Sequence, residues 1–289
     1  MIYRRFVLLG LAALLASALI FSQSHWRADA ANASRPGHTP TIGQRSTGDR
    51  VPGPAVEPLV RPEVASELRK LRPTILEAAR RHNRPELSHM TDREFAIVIT
   101  LILYNENFGW PEDRIPQLRA LTPLYENLQI QANDIGGANL TVWPAKLRPS
   151  VALEILRHQV PVPAPTLVIT EPVQVAGSRV DLDAYTDQSA LYTAITAEIT
   201  EPRLAVEYLA ANMERGLYRA RFEGVPVTWR TLAAWHNQGI VSPENIRDSP
   251  AVRYYIRRAS AYLATARALI DRRDCQKGRC TKSAIRGAT

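Results

Sequence analysis

Apolar residues recur at helical spacing through most of the chain beyond residue 60. Over Pro62–His82 they fall at every third or fourth position, which places them on one face of a helix. The same spacing predicts further helices over Leu118–Gln131, Pro149–His158, Asp187–Ile199, Pro202–Leu217, Thr228–Trp235 and Pro250–Asp271. The stretch Val160–Val180 is rich in proline and valine, and it predicts an extended insertion or a hairpin. The predicted fold class is mainly α, with one short extended insertion.

The segment that begins at Thr91 has a pattern of its own. Thr91-Asp92-Arg93-Glu94 has the form of a capping box, which starts a helix. From Phe95 to Leu103 every residue except Thr100 is apolar. A helix that is apolar on all sides is buried inside a domain, so this one is predicted to be a buried central helix.

The N-terminus has the pattern of an export signal. Arg4 and Arg5 precede an uncharged run from Phe6 to Phe21, and Ala28-Asp29-Ala30 offers the small-x-small pattern of a cleavage site. The run is long for a signal peptide and short for a membrane span, which needs about 20 apolar residues. We expect residues 1–30 to direct export. Cleavage after Ala30 and retention as a membrane anchor both stay open.

Composition divides the rest of the chain. Residues 31–60 are rich in Pro, Gly, Ser, Thr and Arg and predict a disordered linker, so 61–273 forms the folded body, with its insertion at about 160–180. The tail 274–289 carries both cysteines, Cys275 and Cys280. In an exported protein these two favour a disulfide over a zinc site.

Charge and motifs limit the classes of function. The chain is 45% hydrophobic, as globular proteins are, and its net charge of +8 suits an anionic partner, although scattered charges equally fit a solvated surface. The sequence contains no His-Glu-x-x-His, Gly-x-Ser-x-Gly or phosphate-binding glycine motif. We therefore expect no metal and no cofactor.

Glu106 is the first candidate for chemistry. It follows the apolar helix and is flanked by Tyr104, Phe108 and Trp110. Apolar surroundings disfavour a charged carboxylate and raise its pKa, so we expect a proton donor suited to cleaving a glycosidic bond. The alternative is an ordinary glutamate at a helix end, in contact with solvent or paired with an arginine.

Two further motifs could bind a sugar. The turn around Gly137 and Asn139 combines close backbone approach with an amide group, and it could also be an ordinary loop. Trp235, His236 and Asn237 stand at the end of a predicted helix closed by glycine. The alternative for the second motif is a capped helix with a core tryptophan.

In this order, the three motifs resemble those of the lysozyme-like superfamily, in particular the lytic transglycosylases. The resemblance covers residues 62–245 without the insertion, and it implies a lysozyme-like helical domain that cleaves peptidoglycan glycan strands. Glu106 would be the catalytic acid and base, the substrate's acetamido group would assist, and Gly137, Asn139, Trp235, His236 and Asn237 would bind substrate. Transglycosylase and hydrolase outcomes both remain open. The sequence departs from the family pattern at Asn107, Asn139 and His236.

The N-terminal signal predicts a location in the periplasm, cell envelope or extracellular space, with a membrane tether through residues 6–21 if the N-terminus is kept. We expect a monomer with no nucleic-acid partner. The departures motivate a second hypothesis, in which the protein binds the wall or serves as a scaffold without catalysis. A third hypothesis uses the basic helix Arg253–Arg273 to dock on a membrane or nucleic acid.

Overall fold

The computed structural model of the chain describes residues 58–108, 112, 115–162 and 169–272. The predicted leader 1–30, most of the predicted linker 31–60, and the predicted tail 274–289 with Cys275 and Cys280 lie outside the described residues. No helix within the described ranges is long and apolar enough to cross a membrane.

Helix dominates the described residues, which confirms the mainly α class. In chain order the helices are α1 (Pro62–His82), α2 (Pro85–Ser88), α3 (Asp92–Asn105), α4 (Thr122–Gly136), α5 (Pro149–Leu156), α6 (Gln188–Thr200), α7 (Pro202–Glu223), α8 (Trp229–Gln238), α9 (Pro243–Arg247), α10 (Pro250–Ala261) and α11 (Leu263–Asp271). Short 3-10 segments cover Pro116–Leu121 and Leu182–Ala184.

Helix α3 is buried, as its sequence predicts. Thr91 accepts a hydrogen bond from the Glu94 amide at 3.2 Å, and the Glu94 carboxylate accepts one from the Thr91 amide at 2.8 Å, so the capping box is present. From Phe95 to Asn105 every residue except the half-buried Ile97 is buried. Helices α1, α10 and α11 pack against α3.

Helix α7 is a second buried helix, although its sequence contains several charged residues and does not indicate burial. Every residue from Ala205 to Ala220 is buried, including four charged ones. Helices α1, α5, α6 and α8 pack around it. The buried charges need partners, because an unpaired charge in a protein interior is strongly unfavourable.

Two glutamates of α7 enclose the last residue of α1. His82 Nδ1 lies 2.8 Å from Glu214 Oε2, and His82 Nε2 lies 3.2 Å from Glu207 Oε2. Arg81 pairs with Glu207, and Arg84 pairs with Glu214. Burial alone lowers the pKa of His82, but the hydrogen bonds and charges of the two glutamates outweigh burial and raise it. Both ring nitrogens of His82 thus face carboxylates of α7, and these contacts tie α1 to α7.

Two arginines of α7 hold the insertion. The strands β1 (Gln159–Val160) and β2 (Ile169–Thr170) form an antiparallel pair, which agrees with the hairpin alternative for this region. Arg215 donates to the Gln159 carbonyl at 2.7 Å, and Arg219 donates to the carbonyl of Pro161. Both guanidinium groups are buried, so the first strand is fixed to the core by its backbone.

The predicted helix Pro250–Asp271 is divided at Tyr262 into α10 and α11. The Tyr262 ring stacks on Tyr104 of α3, with centroids 6.1 Å apart and planes inclined by 4°. Its hydroxyl donates to the Leu59 carbonyl at 3.0 Å. These tertiary contacts lie at the helix break, where the local sequence has neither Gly nor Pro.

Candidate active site

Glu106 caps the C-terminal end of α3. Its backbone has φ −83° and ψ 3°, and its amide donates to the Ile102 carbonyl at 2.9 Å. The residue is 8% exposed, so its carboxylate lies at the edge of the core. The buried helix fixes the backbone of Glu106, and the side chain is then held by contacts from distant parts of the chain.

One carboxylate oxygen of Glu106 is anchored from two helices. The Tyr255 hydroxyl of α10 donates to Glu106 Oε1 at 2.6 Å. His236 Nε2 of α8 lies 3.5 Å from the same oxygen, and the His236 side chain is 2% exposed. No hydrogen bond to the second oxygen, Oε2, is recorded within the described ranges, and 11% of the Glu106 side chain is exposed.

The pKa of Glu106 differs from the sequence-based expectation. Burial raises it, as predicted, but the hydrogen bond and charge of His236, the charge of Arg258 and the Tyr255 hydroxyl together outweigh burial. The net pKa lies below the usual carboxyl value, so the expectation of a raised pKa was wrong. The reason is that the pocket is not the purely apolar one that the local sequence suggested, because His236, Tyr255 and Arg258 also surround the carboxylate and favour its charged form. Burial and the Glu106 charge raise the pKa of Tyr255, which keeps this hydroxyl protonated and donating.

Helix α10 also supports the backbone beside Glu106. Arg258 donates from Nε to Asn105 Oδ1 and from Nη2 to the Asn105 carbonyl, both at 2.8 Å. Its guanidinium lies 5.6 Å from the centre of the Tyr255 ring. Arg258 thus fixes the last turn of α3 and contributes positive charge near Glu106.

Asn107, where the family pattern has Ser, is fully buried and has a structural role. Its Oδ1 accepts from the Arg61 amide at 3.1 Å and from Arg61 Nε at 3.2 Å, while its Nδ2 donates to the Leu59 carbonyl at 3.1 Å. Arg61 also pairs with Glu126 at 2.9 Å, and Lys146 lies 3.5 Å from the same carboxylate. Glu126 and Asp134 are the acidic residues nearest in sequence that could serve as a second catalytic carboxylate, and these ion pairs leave Glu126 poorly suited to that role.

The turn around Gly137 and Asn139 makes its contacts elsewhere. Gly137 ends α4 at φ +57°, and a Cβ placed there would lie 2.7 Å from the hydroxyl of Ser189. The side chain of Asn139 donates to the Ser150 hydroxyl at 2.8 Å and accepts from the Ser150 amide at 2.9 Å. Asn139 thus caps the start of α5. The structure records no contact of either residue with Glu106.

The three residues of the second predicted sugar-binding motif lie in different environments. Trp235 is 2% exposed, packs with Ala220 and Ile240, and donates from Nε1 to the Val241 carbonyl at 3.0 Å. It is the core tryptophan of the alternative interpretation. Asn237 is exposed and accepts from the Gln238 amide at 2.7 Å. Of the predicted substrate-binding residues, His236 is the one that the structure brings to Glu106.

The sequence interpretation missed the groups that hold the candidate site. Tyr255 and Arg258 are three residues apart on an amphipathic helix, so helical spacing could have placed them on one inner face. Arg61 and Lys146 had no comparable local signal, because their partners lie far away in the sequence.

The geometry therefore contains a nearly buried carboxylate whose Oε1 accepts from Tyr255 and lies beside the enclosed imidazole of His236. Comparisons with models of protein families, with curated proteins and with solved structures found no match to this chain.

Proposed function

We propose that the chain is a lysozyme-like enzyme that cleaves peptidoglycan glycan strands, with Glu106 as the acid and base. The observation that carries the proposal is the position of Glu106, at the end of a buried helix with Oε1 held by Tyr255 and with 11% of the side chain exposed. A catalytic carboxyl has to be fixed in place and still reach its substrate. The bond from Tyr255 supplies the first property, and the exposed part of the side chain supports the second.

In this proposal Glu106 takes up its proton when the substrate binds. With a lowered pKa, Glu106 is charged in the free protein near neutral pH. A glycan strand bound over the carboxylate removes the remaining water. Loss of water disfavours the charged carboxylate and raises its pKa, so Glu106 takes up a proton from the solvent as the strand binds. Glu106 then donates that proton to the glycosidic oxygen.

The rest of the reaction follows the resemblance to lytic transglycosylases. Once the leaving group departs, the acetamido group of the substrate stabilises the sugar cation, and the Glu106 carboxylate serves as the base. No second carboxylate is required, which is compatible with the pairing of Glu126 to Arg61 and Lys146. The side chain of Asn139 is engaged with Ser150, so we no longer assign it the acetamido contact.

The test is release of soluble muropeptides from purified cell-wall sacculi, followed by mass spectrometry. We expect Glu106→Gln to reduce release by at least about a hundredfold, the usual contribution of general acid catalysis. Glu244→Gln is the matched control, because Glu244 is an exposed glutamate on α9. Full release by the Glu106→Gln protein would overturn the assignment.

A second candidate function is binding to the wall without cleavage. The observation that favours it is the lowered pKa of Glu106 together with the structural use of Asn139 and Trp235. This candidate predicts that the wild-type protein pellets with sacculi and releases no muropeptides. Detection of anhydro-muropeptides or of new reducing ends in the wild-type digest would exclude it.

A further inference from the structure

An open groove of about 610 Å³ lies between helices α8, α9 and α10. On α8 it is lined by Arg230, Thr231, Ala234 and Trp235, whereas His236 of the same helix faces Glu106. At about 100° per residue, these four positions centre on the face opposite His236. The lining positions of α10 likewise centre opposite Tyr255 and Arg258. The groove and the Glu106 site therefore occupy opposite faces of the same two helices.

The floor of the groove is apolar. Its lining includes Val225, Ile246, Val252 and Ile256, which come from α9, from α10 and from the loop before α8. Val252 is buried, and the other three are half-buried. A concave apolar floor of this size is typical of sites that bind a ligand or a short peptide segment.

The rim of the groove is strongly basic. Arg230, Arg247, Arg253 and Arg257 all line it and are all exposed. Arg253 donates to the Asp248 backbone carbonyl, and the guanidinium of Arg230 stacks on the Trp229 ring at 4.6 Å. Within the described ranges, no ion pair to a carboxylate is recorded for any of the four. The charge of this rim is therefore available to an anionic occupant.

The positions of these arginines indicate which kind of anionic ligand the groove would bind. The arginines come from three helices, so the ligand needs several negative charges spread along its length. A single lipid headgroup concentrates its charge at one end. Arg253 and Arg257 are one turn apart on α10, or about 6 Å along the helix axis. Carboxylates at i and i+4 on a docked helix have the same spacing, and the apolar face of that helix would cover the floor.

We propose that this groove binds an acidic amphipathic helix of a partner protein. The apolar face of that helix packs on the floor of the groove, and its carboxylates form ion pairs with the four arginines. The site is separate from Glu106, so the proposal does not depend on the chemistry assigned to that residue. It replaces the sequence-based idea that the whole basic segment Arg253–Arg273 docks as one surface, because Arg258 faces inward to Asn105.

The test uses the full chain and a fluorescent synthetic helix with leucines at i, i+3, i+4 and i+7 and glutamates on both flanks. Binding is followed by fluorescence anisotropy at several salt concentrations. We expect Arg253→Gln/Arg257→Gln to weaken binding about tenfold, since close charge pairs at an interface contribute measurably to affinity. The matched control is Arg203→Gln/Arg267→Gln, which removes the same charge at two exposed positions outside the groove.

Three further measurements locate the binding. A peptide with glutamine in place of every glutamate should fail to bind. Ile256→Ser should weaken binding without changing its salt dependence, because it alters only the floor. Added peptide should slow hydrogen exchange of the wild-type protein over residues 225–260, a measurement that needs no variant.

The proposal is overturned if the acidic peptide does not bind, or if the control pair loses as much affinity as the groove pair. Binding to phosphatidylglycerol vesicles without binding to the peptide would instead identify a lipid surface and would also refute it. Thermal unfolding of each variant shows whether the fold is retained.

Discussion

The buried cluster around His82 yields a prediction about stability. Glu214→Gln keeps the volume of the side chain but removes one of the two carboxylates that face His82. Glu214 and His82 are 1% and 2% exposed, so water cannot replace the lost charge. Glu207 still partly balances the charge of His82, so we expect the substitution to cost about as much as the loss of one buried hydrogen bond between charged groups. We expect the free energy of unfolding to fall by about 2–3 kcal/mol.

The loss should depend on pH with a definite sign. The pKa of His82 is raised above its ordinary 6.5. Its contribution is therefore complete below pH 6.5 and is lost as the pH rises through the folded-state pKa. Glu214→Gln reduces this rise, so the wild type and the variant should differ most below pH 6.5. The difference should narrow at alkaline pH to the part that comes from the lost ion pair with Arg84.

The assay is urea unfolding of both proteins across pH 5.5 to 9, followed by circular dichroism. Glu77→Gln is the control, since Glu77 is 48% exposed and pairs with arginines at the surface, where such pairs contribute about 0–1 kcal/mol. Equal losses in the two variants, or a Glu214→Gln loss that is the same at every pH, would refute the reasoning.

Two further outcomes follow from the geometry. Gly137→Ala should destabilise the fold by about 1–2 kcal/mol in urea unfolding, because a Cβ would meet Ser189 at a positive φ. Gly136→Ala, with nothing within 4 Å, should be neutral or slightly stabilising, and an equal loss in both variants would contradict the argument. Tyr255→Phe should raise the pKa of Glu106, because it removes a hydrogen bond that favours the carboxylate. Carboxyl NMR titration, with the signal assigned through Glu106→Gln, measures this shift, and an unchanged or lower pKa would refute it.

Local sequence patterns predicted the helices better than the site. The bounds of α1 and the capping box at Thr91 were confirmed, because apolar spacing and caps are local properties. The division at Tyr262 was missed, since its cause includes a ring contact with Tyr104 and a bond to Leu59. Tertiary contacts of this kind leave no periodic signal in the sequence.

The pKa of Glu106 likewise depends on groups that the local sequence does not reveal. Neighbours in the sequence predicted an apolar pocket, and burial does raise the pKa. The groups that reverse the direction are His236, Tyr255 and Arg258, which lie more than a hundred residues along the chain. The contacts of Asn139 were also hidden from the local sequence, because its side chain accepts a hydrogen bond from the amide of Ser150, eleven residues further along the chain.

Asn107 gives the candidate site a mechanical connection to the start of the folded body. Its amide is bonded to Leu59 and Arg61, the residues through which the chain from the N-terminus enters. A pulling force applied to the N-terminal end of the chain would therefore act on the hydrogen bonds of Asn107, the residue directly after Glu106. A truncated chain that starts at Pro62 would leave the buried Asn107 amide without these partners, so the choice of first residue in an expressed fragment would itself alter the site.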